Sequence, residues 1–333
     1  MPDHGDAGTL LAGRADLAGK VAIVLGGAGG LGESITRDLA ACGVVVAVAD
    51  RDPQALAALR EELASSPALA YFEQFDVRDS DALASFFEAV DTQFGCLDIL
   101  VNVPGGSFQA EFLDTRPKGW DAVMAQNFTY VLHACHLAAT RMRAGGGGSI
   151  VNVTSIEGHR AIPYMAVYGA MKAAVTSLTR TLALELGPSG IRINCVAPDV
   201  FPTTATIAAG WNSADGGTPV QKLIEDIAVP IGRFGQSREL STAVLFLASA
   251  MSSYLTGTTL HVDGGTMASS GWFKWPDGYS ILTPEPLARY LMENGRTVKA
   301  GRSAATFAGR RGGNAGVEAT AVEVDEQTSS PLP

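Results

Sequence analysis

The stretch VAIVLGGAGGLGES at residues 21–34 joins a short apolar run to a glycine-rich turn and a helix-like segment. The apolar run contains several β-branched residues, which favour strands, and the glycines allow the sharp turn that connects a strand to a helix. A strand, a tight turn and a helix in this order are typical of the first unit of a parallel α/β sheet. The segment therefore predicts where the sheet begins.

Seven apolar runs, with helix-like segments between them, extend this pattern along the chain. Such alternation predicts a parallel sheet whose two faces are covered by helices, which explains why the runs are apolar throughout. The predicted fold class is α/β, a Rossmann-type doubly wound parallel sheet of about seven strands in a single domain with a C-terminal extension. In chain order the runs are KVAIVLG, VVVAVAD, LAYFEQFD, CLDILVN, GSIVNVTS, IRINCVAP and TTLHVDGG.

Composition divides the chain into four segments. Residues 15–267 hold all seven runs and form the predicted core domain. Residues 1–14 are expected to be a flexible N-terminal arm, and residues 295–333, which are small, polar and glycine-rich, a flexible tail. Residues 268–294 form an extension whose aromatic side chains would not stay unpaired in water. Its aromatic cluster comprises Trp272, Phe273, Trp275 and Tyr279.

The charge balance disfavours several classes of partner. The 333 residues carry a formal net charge of −10 and contain no basic run, so neither nucleic acid nor an anionic membrane is an expected partner. No run of eighteen uncharged apolar residues occurs, and the N-terminus lacks the features of a signal peptide. The sequence predicts a protein that is neither secreted nor membrane-spanning.

The cysteines and histidines give no metal pattern. Four widely spaced cysteines without a CxxC pair are typical of reduced thiols in a cytoplasmic protein, which is the predicted location. His133, Cys135 and His136 cluster on a predicted helix, but no nearby carboxylate completes a ligand set. Packing is therefore favoured over metal binding, and no metal site is predicted.

The glycine turn at residues 26–32 is a candidate nucleotide site. Its glycines let the backbone approach a pyrophosphate, whose charge meets the free N–H groups and positive dipole of the following helix. A plain glycine-rich turn is the alternative, but its place between strand and helix favours the nucleotide. The second run ends at Asp50, eighteen residues past Gly32, where a carboxylate can accept hydrogen bonds from ribose hydroxyls. A turn or cap carboxylate is the alternative for Asp50.

Two further strand ends carry candidate nucleotide contacts. The third run ends at Asp76, and this residue and Val77 are expected beside the adenine. The fourth run ends at Asn102, and this residue and Gly105 are expected beside the cofactor ribose. The carboxyl ends of parallel strands meet at one edge of the sheet, where such folds bind ligands.

Tyr168 and Lys172 form a candidate acid/base pair. They are spaced i, i+4 in a helix-like stretch, so both side chains project from one face. A neighbouring ammonium favours the phenolate, so the pKa of Tyr168 is expected to be lowered, which would let it exchange a proton with a ketone or an alcohol. Such pairs also occur by chance on helix surfaces. Ser155, at the end of the fifth run, is expected to meet Tyr168 and orient a carbonyl oxygen.

Taken together, these motifs resemble the short-chain dehydrogenase/reductase superfamily over about residues 17–267. The resemblance implies that residues 15–267 are a dinucleotide-binding catalytic domain with a tetrad of Asn127, Ser155, Tyr168 and Lys172. Tyr168 would transfer the proton, Ser155 would polarise the substrate oxygen, Lys172 would hold the nicotinamide ribose, and Asn127 would hold a water linked to Lys172. The implied cofactor contacts are Gly26, Gly29, Gly30, Leu31, Gly32, Asp50, Arg51, Asp76, Val77, Asn102, Gly105, Tyr168, Lys172, Pro198, Val200 and Thr203.

The sequence departs from the family pattern at three places. Leu25 replaces the usual threonine before Gly26, and Val103-Pro104 replaces Asn-Ala after the fourth strand. Asp199 replaces the glycine of the Pro-Gly pair after the sixth strand. Because that loop is expected near the nicotinamide, Asp199 either contacts the cofactor or a polar substrate group, or is a solvated loop acid.

The expected function is hydride transfer between NAD(H) and a secondary alcohol or ketone in a homo-oligomer, a tetramer or a dimer. A catalytically silent NAD-binding sensor or subunit partner is the alternative. Enoyl-reducing relatives use a wider tyrosine-to-lysine spacing, which disfavours double-bond reduction. Residues 201–230 are expected to form a lid over a mainly apolar substrate, whose identity the sequence does not give. The other side of the pocket is expected to hold Glu157, His159, Arg160, Tyr164 and Met165.

Overall fold

The first strand, β1 (Val21–Leu25), lies near the centre of a sheet of seven parallel strands ordered β3-β2-β1-β4-β5-β6-β7. In this computed structural model the described residues are 7–64, 70–203, 206–207, 219–275 and 278–281, all within one compact unit of residues 1–282. Each predicted apolar run contains one strand, so the predicted fold class is confirmed. The other strands are β2 (Val45–Asp50), β3 (Ala70–Gln74), β4 (Ile99–Asn102), β5 (Gly148–Val153), β6 (Ile191–Pro198) and β7 (Thr259–Val262).

Helices cover both faces of the sheet, which is why strand residues of both parities are buried. Ile23 packs into the core on one face, and its neighbour Val24 packs into the core on the other. The first core takes side chains from the helices α4 (Ser80–Phe94), α6 (Tyr130–Gly145) and α7 (Ala166–Leu186). The second takes side chains from α2 (Gly30–Ala41), α3 (Pro53–Leu63) and α9 (Ser237–Ala248). The remaining helices are α1 (Ala7–Ala15), α5 (Pro117–Met124), α8 (Pro219–Ala228) and α10 (Thr266–Ser269).

Two of the connecting helices begin at aspartate caps. The Asp52 carboxylate accepts hydrogen bonds from the backbone N–H groups of Gln54 and Ala55 at the start of α3. The Asp79 carboxylate does the same at the start of α4. These caps satisfy backbone donors that a helix leaves free at its N-terminus, so they fix the residues at which α3 and α4 begin.

Two segments differ from what the sequence predicts. Residues 7–15 form helix α1 where a flexible arm is expected, because AGTLLAGRA is rich in alanine and leucine and its helix packs on the turn Ala250–Ser252. The first six residues of the expected arm lie outside the described residues. Part of the expected lid is also regular structure, since α8 occupies its C-terminal part.

The aromatic extension begins as a β-hairpin. Strands β8 (Trp272–Trp275) and β9 (Gly278–Ile281) pair in antiparallel register, with Lys274 opposite Tyr279. β8 lies against α8, in the segment expected to cover the substrate. The side chain of Trp272 is 49% exposed in the single chain. The expected tail at residues 295–333 lies outside the described residues.

Candidate active site

The glycine turn leaves no room for side chains where the strand meets α2. A side-chain carbon on Gly32 would overlap the carbonyl oxygen of Gly26. Gly26 has a φ of +69°, and a carbon there would lie 2.7 Å from Pro104. Around Gly29, which immediately precedes α2, a side-chain carbon would meet no described atom within 4 Å. The turn therefore presents open space at a helix N-terminus, which fits a bound pyrophosphate.

The carboxylate of Asp50 holds the glycine turn from the end of β2. One of its oxygens accepts a hydrogen bond from the backbone N–H of Ala28 at 3.1 Å, and the other accepts one from Asp52 at 3.1 Å. A carboxylate offers about four lone-pair positions, so both oxygens keep capacity for another donor. Asp50 therefore fixes the turn and remains able to accept ribose hydroxyls.

Asp76 and Arg51 lie close to each other near the same edge. The guanidinium of Arg78 donates to the Asp76 carboxylate at 2.9 Å, which lowers the pKa of Asp76, and the charge of Arg51 adds to this effect. Arg51 is exposed, and the adjacent Val77 is buried. The Asp76 side chain is thus engaged locally, which leaves the backbone at Val77 for the expected adenine contact.

Asn102 has a buried oxygen that faces no hydrogen-bond donor among the described residues. Its amide nitrogen donates to the side-chain oxygen of Asn152 at 2.7 Å, and Asn152 donates in turn to the Thr179 hydroxyl at 2.9 Å. The Asn102 side-chain oxygen is left without a partner. Buried polar atoms are normally satisfied, so this oxygen is an exception within the described residues. Asn152 was not singled out from the sequence, although its place in the apolar run GSIVNVTS is an unusual site for an amide.

Lys172 is buried beside the end of β5. Its side chain projects from α7, is 3% exposed and donates a hydrogen bond to the carbonyl oxygen of Val153 at 3.0 Å. Burial lowers the pKa of Lys172 from 10.5 to about 8. A side-chain carbon on Gly105 would lie 2.7 Å from the lysine nitrogen, so Gly105 leaves the space that Lys172 uses.

Asn127 faces Gly105 and Gly106 from a π-helical turn, Ala125–Thr129, between α5 and α6. Its side-chain oxygen accepts from the Gly106 N–H at 3.0 Å, and its nitrogen donates to the carbonyl oxygens of Gly106 and Val123, each at 2.8 Å. π turns insert one extra residue into a helix and are frequent at functional sites. The structure thus brings the side chains of Asn127 and Lys172 to the same loop at Gly105.

Tyr168 and Ser155 line the same cavity and lie close enough for the Ser155 hydroxyl to affect the pKa of the phenol. Ser155 follows β5 and accepts from the backbone N–H of Glu157 at 3.2 Å. Burial raises the pKa of Tyr168, the Ser155 hydroxyl lowers it and the charge of Glu157 raises it, with a net upward shift. The expectation that Lys172 lowers this pKa is wrong, because its ammonium lies 5.7 Å from the tyrosine ring centre and burial dominates.

A cavity of about 590 Å³ joins these groups to the expected substrate region. Ser155, Tyr168 and Lys172 line one part of it, and Thr203 approaches Gly30 across the glycine turn. Of the remaining residues expected at the cofactor or substrate, the lining includes Leu31, Gly105, Glu157, Arg160, Met165, Pro198, Asp199 and Val200.

Two residues expected in the pocket lie elsewhere. The His159 ring packs edge-on against the His261 ring at 4.8 Å, so it points away from the cavity. Tyr164 has a φ of +67° and lines a smaller neighbouring pocket with Phe108 and Trp120. Neighbouring residues of a loop can point to different sides, which residue type alone does not reveal. Trp211 and Asp215 of the expected lid lie outside the described residues.

The His133, Cys135 and His136 cluster is divided between surface and core. Both histidines are exposed on α6, whereas Cys135 is buried and near the side chains of Asn102 and Asn152. Within the described ranges, no three His, Cys, Asp or Glu side chains are grouped to hold a metal ion. In the same part of the chain, no helix is long and apolar enough to cross a membrane.

Comparisons with known proteins agree with this geometry. A family model described as enoyl-(acyl carrier protein) reductase matches residues 26–267. A 3-oxoacyl-(acyl-carrier-protein) reductase from Thermotoga maritima is 33% identical over 249 residues, which cover 75% of this chain and 98% of the relative. The chain belongs to the short-chain dehydrogenase/reductase superfamily. The resemblance inferred from the motifs is therefore confirmed.

Solved structures of this superfamily superpose on most of the chain. A 7α-hydroxysteroid dehydrogenase complexed with NADH and 7-oxo glycochenodeoxycholic acid is 30% identical, with a TM-score of 0.71 over 76% of this chain and 96% of that chain. A gluconate 5-dehydrogenase from Burkholderia cenocepacia, in complex with NADP and tartrate, is 31% identical, with a TM-score of 0.71 over 78% of this chain and 99% of that chain. Both nicotinamide cofactors thus occur among superfamily structures similar to this chain.

Proposed function

We propose that the protein is an NAD(H)-dependent oxidoreductase that interconverts a secondary alcohol and a ketone. The observation that carries this proposal is the convergence of the side chains of Ser155, Tyr168 and Lys172 on the wall of one cavity. When bound at the glycine turn, the nicotinamide cofactor supplies or accepts the hydride. The residues of the chain supply orientation and the proton.

Tyr168 and Ser155 act on the substrate oxygen. The raised pKa of Tyr168 keeps its phenol protonated at neutral pH, so it donates its proton to a ketone oxygen, and in the reverse direction it accepts the alcohol proton. The Ser155 hydroxyl orients the same oxygen by hydrogen bonding. Lys172 is positioned to hold the ribose and to restore the proton, because its pKa of about 8 leaves it mostly charged at neutral pH.

Carbonyl reduction fits the site better than reduction of a carbon–carbon double bond. The description of the matched family model names an enoyl reductase, whereas the name of the Thermotoga relative names a 3-oxoacyl substrate, which is a ketone. Three residues separate Tyr168 from Lys172 here, and the enoyl-reducing relatives use a wider spacing. The short spacing places both groups on one face of α7.

The proposed preference for NAD(H) rests on Asp50. Its carboxylate retains capacity for the free 2′-hydroxyl of the adenosine ribose and would repel a 2′-phosphate, which carries nearly two negative charges. The charge of the exposed Arg51 lowers the pKa of Asp76, and the proposal assigns Arg51 no contact with a 2′-phosphate. The glycine turn contributes only Ala28 and Gly29 where a basic residue would serve NADP.

The test compares the two cofactors on a panel of secondary alcohols, with the reduced nicotinamide followed by its absorbance. The value of kcat/KM is expected to favour NAD over NADP by at least about tenfold, or about 1.4 kcal/mol. Asp50→Ala should narrow the gap through better NADP affinity, and Asp81→Ala on the exposed start of α4 is the matched control. Equal or better efficiency with NADP would overturn the assigned preference. Nucleotide binding without any turnover would overturn the enzymatic proposal.

A homo-oligomer, either a dimer or a tetramer, is also part of the proposal. Leu184 on α7 is 81% exposed and Leu132 on α6 is 38% exposed, although both helices form the core on their other faces. Large apolar side chains left in solvent favour burial between copies. Sedimentation of the purified chain tests this, and a monomer at micromolar concentration would contradict it.

A further inference from the structure

A charged wall lines the substrate cavity next to Tyr168 and Ser155. It consists of Glu157 and Arg160, which follow β5, and Asp199, which follows β6. Arg160 donates to the Glu157 carboxylate at 2.9 Å, and its distance to the Asp199 carboxylate is 3.6 Å. The carboxylates of Glu157 and Asp199 are only 13% and 12% exposed. Two shielded acids therefore face one guanidinium, and the wall has a net negative charge.

Asp199 is the less satisfied of the two acids. A separation of 3.6 Å from Arg160 is too long for a good hydrogen bond, so this ion pair is loose. The Thr266 hydroxyl lies near the Asp199 carboxylate, but it donates to the carbonyl oxygen of Asp263 at 2.7 Å. One hydroxyl has one proton and cannot donate to both acceptors at once. The Asp199 carboxylate therefore retains acceptor capacity.

The electrostatic surroundings of Asp199 agree with this shortage of donors. Burial raises the pKa of Asp199, the contacts with Thr266 and Arg160 lower it, and the charges of Glu157 and Asp263 raise it, with a net upward shift. A carboxylate that has lost water without gaining enough hydrogen bonds is destabilised as an anion. A donor brought by a ligand would relieve that cost.

The remaining wall of the cavity is mostly apolar. Phe108, Ile162, Met165 and Phe201 line it together with the valines at the ends of β4 and β5. A ligand filling the cavity would therefore contact carbon on one side and carboxylate oxygen on the other. This division calls for a substrate with an apolar body and a polar group besides the reacting oxygen.

We propose that Asp199 is a specificity-determining residue, whose carboxylate accepts a hydrogen bond from a second hydroxyl or an amino group of the substrate. The substrate class is thus an apolar secondary alcohol, or the matching ketone, that carries a further hydrogen-bond donor. A carboxylate in the donor's position is disfavoured by the negative wall. This inference rests on the proposed function, because it assigns a second contact to the substrate of the same site.

The experiment uses one substrate scaffold with four substituents, oxidised by the full-length chain with NAD+. The substrates are 1-phenylethanol, 1-phenyl-1,2-ethanediol, 2-amino-1-phenylethanol and mandelate, which place a methyl, a hydroxymethyl, an aminomethyl and a carboxylate beside the reacting carbon. A second scaffold compares cyclohexanol with 1,2-cyclohexanediol. The variants are Asp199→Ala and Asp199→Asn, with Asp81→Ala as the control for loss of an exposed aspartate.

In the wild type, kcat/KM is expected to be at least about tenfold higher for the hydroxymethyl and aminomethyl substrates than for the methyl substrate, and lowest for mandelate. In Asp199→Ala, the kcat/KM values for the hydroxymethyl and aminomethyl substrates should come within about threefold of the value for the methyl substrate. The change should arise mainly from KM. Asp199→Asn should keep part of the hydroxymethyl preference, because its amide oxygen still accepts, but should lose more of the aminomethyl preference. Asp81→Ala should retain the wild-type ratios.

The possible failures are separable. If both Asp199 variants turn over the substrates with the same kcat/KM ratios as the wild type, Asp199 does not determine specificity. The proposed oxidoreductase activity would be unaffected by that result. No turnover of any secondary alcohol on either scaffold, despite nucleotide binding, would overturn the proposed function itself. If Asp199→Ala fails to fold, Asp199→Asn keeps the size of the side chain. An unchanged preference for the aminomethyl substrate in that variant overturns the inference.

Discussion

The ammonium of Lys172 donates a hydrogen bond to the carbonyl oxygen of Val153, the last residue of β5, at 3.0 Å. This contact fixes a side chain of α7 to the carboxyl edge of the sheet, one residue before Thr154, whose hydroxyl donates back to the Lys172 carbonyl oxygen at 2.8 Å. The helix and the strand are thus joined in both directions beside the candidate site. The position of the lysine is set by strand geometry as much as by its own helix.

Gly105→Ala is expected to displace Lys172. The added carbon would lie 2.7 Å from the lysine nitrogen and 3.0 Å from the side-chain oxygen of Asn127, so one of them must move. We expect kcat/KM to fall at least about tenfold, a loss of about 1.4 kcal/mol of transition-state stabilisation, with little change in thermal stability. Gly145→Ala is the control, because a carbon there meets no described atom within 4 Å. Wild-type kinetics for Gly105→Ala would contradict the assigned geometry.

The buried Lys172 should make stability depend on pH in a defined window. Its pKa is about 8 in the folded protein against an ordinary value of 10.5, so between these values the unfolded chain binds more protons. Stability therefore rises with pH across this window, by up to about 3 kcal/mol from this group, and the gain is absent below pH 8. The measurement is the difference in free energy of unfolding between the wild type and Lys172→Met. A difference independent of pH from 8 to 10.5 would refute the assigned burial effect.

Tyr168→Phe should leave cofactor affinity nearly intact and abolish most turnover. The change removes a single hydroxyl, whose proposed role is confined to proton transfer and is worth about 10²–10⁴-fold in rate. Nucleotide affinity from fluorescence titration and kcat from absorbance separate the two effects. Tyr164→Phe on the neighbouring loop is the matched control, since Tyr164 lines a different pocket. An active Tyr168→Phe enzyme would exclude Tyr168 as the acid/base.

The phenol of Tyr168 should titrate above pH 10 in the cofactor-free protein, because burial raises its pKa. Ser155→Ala should move the titration still higher, since the Ser155 hydroxyl lowers the pKa of Tyr168. The difference in ultraviolet absorbance between each protein and its Tyr168→Phe counterpart isolates this one tyrosine. A transition near neutral pH would show that burial does not raise the pKa of Tyr168. A downward shift on removal of Ser155 would show that Ser155 does not lower it.

Deletion of residues 268–333 should weaken substrate affinity or change the assembly state, because β8 packs against α8 in the expected lid. Deletion of residues 295–333 alone is expected to leave kinetics and assembly unchanged and is the control. Steady-state kinetics and sedimentation measure both properties. If the longer deletion leaves the kinetics and the sedimentation unchanged, the hairpin contributes neither to substrate binding nor to assembly.

The fold was accessible from the sequence because strand runs such as residues 21–25 and 45–49 are apolar on both faces, a pattern typical of a covered parallel sheet. The positions of Ser155, Tyr168 and Lys172 followed from strand ends and helix spacing. The π turn at Asn127 did not follow, because AQNFT carries no residue that specifies an extra helical residue.

Orientation within loops was the other feature that the sequence did not determine. Glu157, His159 and Arg160 are neighbours in a polar loop, yet only the first and last face the cavity. The sign of the Tyr168 pKa shift also depended on packing, because desolvation acts through surrounding atoms that are distant in sequence. Both properties arise only once the loop is folded against α7.

The π turn Ala125–Thr129 makes the length of this stretch critical. Val123 before it and Tyr130 after it are both buried, while Asn127 between them turns toward Gly106. An α-helix rotates by about 100° per residue, so deletion of one residue would turn every side chain on one side of the gap away from its present partner. Such a deletion would give a more regular helix, but it would lower the stability of the protein. Deletion of one residue here should therefore lower stability more than most substitutions at the same positions do. The number of residues in this stretch is constrained as well as their identity.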